Sequence, residues 1–104
     1  MIHTTTDFVP GKEIAEILGI ARGSTVRARN IGRDIFAGLK NLVGGEIEEY
    51  TKLQAESREQ ALLRMKEDAE RLGADAIINI RLATSMVTQG AAEILAYGTA
   101  VKFK

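Results

Sequence analysis

From Ala76 onward, apolar residues recur at every second position in two runs separated only by the turn pair Gln89-Gly90. Ile78, Ile80, Leu82 and Met86 share one face of the first run, with Asn79, Arg81 and Ser85 on the other. The second run sets Leu95, Tyr97, Val101 and Phe103 against Ile94, Ala96, Gly98 and Ala100. A period of two is that of a strand with one buried face. Two such runs joined by a short turn containing glycine fold back on each other as a hairpin. Any fold of this chain has to provide cover for that hairpin.

Upstream, the period becomes helical. Ala55, Leu62, Met65, Ala69 and Leu72 fall on one face, and Glu56, Glu59, Arg64, Lys66, Glu67 and Glu70 supply a charged exterior. Thr51 and Gln54 have the spacing of a capping box, so the helix is predicted from Thr51 to a glycine stop at Gly73. Arg58 lies on the apolar stripe one turn before Leu62, where its stem is expected to cover the end of the core while its head stays wet. A shorter helix is predicted after Asn30, a favoured N-cap, with Ile31, Ile35, Leu39 and Leu42 at three- and four-residue spacing before Gly44-Gly45.

The first quarter reads as extended chain. Ile2 to Thr6 is short and β-branched and closes at Pro10-Gly11. Ile14, Leu18 and Ile20 mark a second strand in which Glu16 and Ile17 break the alternation. Gly19 and Gly23 predict a bulge or a close backbone approach there, with Val26 to Arg29 continuing the strand beyond a kink. The order is β-β-α-α-β-β in one domain over residues 1–104, an α+β fold with an antiparallel sheet and helices on one face.

Composition excludes several classes of function. Fourteen Lys and Arg balance fourteen Asp and Glu, so no global field draws the protein to nucleic acid or an anionic membrane. No apolar run approaches the roughly 18 residues of a membrane span, and no secretory leader is expected ahead of Ile2. The absence of cysteine removes disulfides, thiolate metal sites and cysteine nucleophiles, and it fits a reducing compartment, so a cytoplasmic location is expected.

Candidate chemistry is sparse. His3 is the single histidine and would have to bind metal with carboxylates alone, a poor set for soft metals. Neither a nucleophile–base pair nor convergent carboxylates can be assembled, and Glu67 and Asp68 diverge around a helix surface, so no enzymatic activity is expected. Gly44-Gly45 lacks the spacing of a phosphate loop. Arg27, Arg29 and Arg33 gather around the start of the first helix and form a candidate anion-binding cluster; Asp34 sits among them and only Phe36 is aromatic nearby, so nucleic acid is disfavoured. The final strand also pairs one large-residue face with a face of Ala96, Gly98 and Ala100. The large face is expected under the helices and the small one against another subunit.

Several short stretches, in order, resemble the YbjQ family of uncharacterised bacterial proteins, sometimes labelled heavy-metal-binding. They are Thr5-Thr6, Asn30 with Asp34, Val43-Gly44-Gly45, Tyr50, then Arg58, Ala61 and Met65. Gly73-Ala74-Asp75-Ala76-Ile77 and Ala96-Tyr97-Gly98-Thr99-Ala100-Val101 complete the set. The likeness spans essentially the whole chain. Residues 80–84 depart from it, lacking the aspartate and tyrosine that many members carry there. The resemblance implies a dodecin-like subunit assembled as a pentameric ring, without an agreed activity.

The expected function is therefore a non-enzymatic homo-oligomeric binding or assembly module that carries no cofactor. Two alternatives stand beside it: a metal or small ligand sequestered at subunit junctions, and an anion or nucleic-acid module using Arg27, Arg29 and Arg33.

Overall fold

The computed structural model describes residues 1–27, 48–88 and 91–104. Strands β1 (Ile2–His3), β2 (Ile14–Arg27), β3 (Ala76–Thr88) and β4 (Ala91–Phe103) form one sheet in the order β1-β3-β4-β2, and helix α1 (Glu48–Arg71) packs on one face of it. The helix predicted after Asn30 and the Gln89-Gly90 turn lie outside the described residues.

β3 and β4 pair antiparallel, as do β4 and β2, but Ile2 and His3 run parallel to Ala76 and Ile77. The sheet is thus mixed, and the expected antiparallel pairing fails at β1. The connection from β1 to β2 explains this. It crosses the sheet from one margin to the other and places Val9 against Ala76, Ile78 and Val101, with Ile14 and Phe103 packed beside them. A tight hairpin between the first two strands would have left that second apolar cluster bare.

Two bulges decide which side chains the core receives. Between Ile78 and Arg81 the register shifts, with Asn79 at φ 54°, a left-handed conformation that asparagine tolerates better than most residues. The inserted residue breaks the period of two. Ile77 and Ile80 join the cluster beneath α1, while Ile78 joins the one beneath Val9. A second shift between Ile17 and Gly19, with Gly19 at φ 135°, turns Leu18 toward the helix-side cluster and accounts for the interrupted alternation there.

α1 already includes Glu48, three residues before the predicted cap, so Thr51 is helical and is not the N-cap. Its buried stripe is Ser57, Ala61, Met65 and Ala69; Leu72, expected to be buried, is exposed. Small residues let the helix settle close to the sheet. A Cβ on Gly23 would lie 2.2 Å from the Met65 backbone nitrogen and 2.5 Å from the Ala61 carbonyl oxygen. Gly23 is therefore where strand and helix backbones touch.

The faces of β4 are the reverse of those expected. Ile94, Ala96 and Ala100 are buried in the cluster under α1, and Gly98 faces Ile77 and Ile80 of β3, where a Cβ would come within 2.7 Å of the Ile77 Cγ2. Val101 and Phe103 lie in the second cluster, and Tyr97 is exposed. On the helix side, Ala96 and Ala100 meet Ala61, Met65 and Ala69 of α1, with Ile77, Ile80 and Ile94 completing the cluster. Ala96, Gly98 and Ala100 are thus occupied inside the subunit, not against a neighbour.

Candidate functional site

β2 is a sheet margin, and its middle is closed by side chains of α1. Asp68 Oδ2 accepts a hydrogen bond from the Arg22 backbone N–H at 3.0 Å, and Arg64 Nη1 donates to the Ser24 carbonyl oxygen at 2.6 Å. These are the strand's outward main-chain groups, otherwise open to a stray strand. Arg71 Nη2 pairs with the second Asp68 oxygen at 3.2 Å and holds that carboxylate in place. Asp68→Ala should cost about 1–2 kcal/mol, read as a lower urea midpoint with unchanged slope. Asp68→Asn, which retains an acceptor oxygen, should lose less; equal losses would mean that the N–H cap contributes nothing.

Around these contacts opens a cleft of about 470 Å³, lined by Arg22, Gly23 and Ser24 of β2, by Arg64, Glu67 and Arg71 of α1, and by Leu95 of β4. Three arginine residues line this one volume. Arg64 uses Nη1 on the Ser24 carbonyl and Arg71 uses Nη2 on Asp68, which leaves further N–H donors on both. Among the described residues, the Arg22 guanidinium and the Glu67 carboxylate enter no ion pair.

At the opposite margin, β1 covers only the start of β3, and all eight residues from Arg81 to Thr88 are exposed. They include Leu82, Met86 and Val87, with Met86 79% exposed. Beyond the cover of Val9, the helix-free face also leaves Ile17, Ile20, Val26 and Tyr97 exposed. The radius of gyration is 17.0 Å, against about 13 Å for a compact chain of this length. The long β2, β3 and β4 arm therefore extends beyond the core that α1 can seal.

The arginine cluster expected from sequence is only partly placed. Arg27 ends β2, while Arg29 and Arg33 lie outside the described residues. The clustered arginines that the structure does place, Arg22, Arg64 and Arg71, lie too far apart in sequence for proximity along the chain to reveal them. His3 is exposed on β1, with Nδ1 3.3 Å from the Met1 carbonyl oxygen. Among the described residues no group of three or more His, Asp or Glu side chains converges, and the chain has no cysteine. The donors described in one subunit therefore do not fit a heavy-metal centre. No helix among the described residues is long and apolar enough to cross a membrane.

Residues 1–104 match the YbjQ family, described as "Putative heavy-metal-binding". A UPF0145 protein of Methanosarcina acetivorans is 61% identical over 98% of this chain and 96% of its own length. Another from Vibrio parahaemolyticus is 56% identical over 98% and 97%. These relatives are archaeal as well as bacterial, which widens the expected bacterial range. A crystal structure of a protein of unknown function from Pediococcus pentosaceus, assigned to the DUF74 family, covers all of this chain and 98% of its own. Its TM-score is 0.65 at 18% identity, a likeness of fold. None of these relatives is named for an activity.

Proposed function

The chain belongs to the YbjQ family, and from that premise we propose that it works as a non-enzymatic, cytoplasmic homo-oligomeric binding module, a ring with five the favoured subunit count. The observation that carries this reading is the arm. Among the described residues, eight consecutive residues of β3 are exposed along an unpaired margin, and Ile17, Ile20 and Tyr97 lie bare on the sheet face that α1 leaves free. An exposed strand margin with apolar side chains calls for a partner. A margin on one side of the subunit and a bare face elsewhere make an unlike pair of surfaces, and unlike surfaces joined head to tail form a ring when the rotation between copies closes.

A second reading, a metal or small ligand held at subunit junctions, is supported by the description of the family. His3 lies on the outermost strand, where copies of one residue can meet across a junction. The anion reading built on Arg27, Arg29 and Arg33 has no described geometry behind it.

Native mass spectrometry of protein purified without chelator tests both readings. The expected spectrum is one oligomer, pentamer first, at micromolar concentration. Ile20→Glu combined with Met86→Glu changes two side chains exposed in the subunit, so it should reduce the mass to that of one chain while circular dichroism stays unchanged. A monomeric wild type, or a double variant that keeps the full mass, would defeat the assembly reading. Metal retained in a whole-number ratio to the oligomer and lost in His3→Ala would favour the junction site.

A further inference from the structure

We propose that the cleft between β2 and α1 is a binding site for a small phosphate-bearing solute, held by Arg22, Arg64 and Arg71. The site lies within one subunit and does not depend on the assembly. Its construction follows from Gly23. Because that residue carries no side chain, α1 lies against β2, and arginines 42 and 49 positions beyond Arg22 come to border the same space.

The chemistry of the lining selects the ligand. Guanidinium groups present paired N–H donors in a rigid plane that matches the oxygens of a phosphate. Arg64 is oriented by its bond to the Ser24 carbonyl and Arg71 by its bond to Asp68, so two of the three are positioned before any ligand arrives. The Arg22 backbone is held by Asp68 and by pairing with β4, and its side chain, on the strand face of Ile20 and Val26 at the sheet margin, enters no ion pair among the described residues. Three positive groups outnumber Glu67 and Asp68, and the surplus favours an anion. A volume of about 470 Å³ is within the range of small-molecule sites. Nucleic acid is disfavoured, since no aromatic side chain lines the cleft for a base to stack on.

The test titrates ¹⁵N-labelled protein with pyrophosphate, the probe used, and follows amide shifts at low salt. Saturable shifts confined to residues 22–24 and 64–71 are expected below about 10 mM. Arg22→Ala and Arg71→Ala, both changes of exposed residues, should each weaken binding about tenfold. Arg58→Ala, which removes the same charge from an exposed position that does not line the cleft, should change it less than twofold if the site is local. Absence of saturable shifts, or equal losses in all three variants, would overturn the proposal. So would a single-stranded oligonucleotide that binds the same residues more tightly than pyrophosphate does. A monomeric protein that still shows the local shifts would refute the assembly reading and leave this one standing.

Discussion

Gly23→Ala is expected to destabilise the subunit by about 4 kcal/mol or more, a large share of the total for a domain of this size. The methyl carbon would lie 2.2 Å from the Met65 nitrogen, 2.5 Å from the Ala61 oxygen and 2.6 Å from the Arg64 carbonyl carbon, all backbone atoms of α1. A flexible side chain could swing aside; a helix backbone can yield only by moving as a body. That movement would pull Ala61, Met65 and Ala69 from a cluster in which each is at most 1% exposed. The Arg22 and Ser24 caps from α1 would break in the same step. A thermal melt should shift down by about 20 °C. A melting temperature within a few degrees of wild type would mean that the helix does not rest on Gly23.

Ala100→Glu is expected to abolish the fold, not to release intact monomers. Ala100 is fully buried, with Gly19 of β2 on one side and Ile77 of β3 on the other. A carboxylate there meets no described partner, and an unpaired buried charge together with the added volume costs about 3–5 kcal/mol. Far-ultraviolet circular dichroism and light scattering separate the outcomes. Loss of the cooperative melt, with aggregation, is the result that the burial predicts. A variant that melts like wild type while its mass falls would return Ala96, Gly98 and Ala100 to a subunit interface.

That contrast shows what could be read from sequence and what could not. The final strand, the strand from Ala76, the helix ending at Gly73 and the close approach at Gly23 were all legible, because periodicity and glycine are local signals. The direction of the β4 faces was not. Alternation separates Ala96, Gly98 and Ala100 from Tyr97, Val101 and Phe103, but it does not say which set meets the helix. The answer lay in α1, where Ser57 and Ala61 belong to the buried stripe and Leu72 does not, so the helix rests close on Ala96 and Ala100 while Ile77, Ile80 and Ile94 fill the space around them. Nor does alternation show that Asn79 is an extra residue, since a bulge exists only relative to a partner strand. β1 escaped for a similar reason, because Ile2 and His3 carry no mark of the direction of their neighbour. The basic cleft was hidden by distance along the chain, and sequence proximity favoured Arg27, Arg29 and Arg33 instead.

The Asp68 and Arg64 caps also bear on how the protein fails. A margin closed by side chains of a separate helix is closed only while that helix is docked, so the first event that lifts α1 also uncovers strand backbone beside Ile17 and Ile20. Helix undocking and the appearance of a sticky edge are then one event. Heat-damaged molecules would be captured by one another faster than the helix returns, and inactivation would be governed by the rate of that opening instead of by an equilibrium.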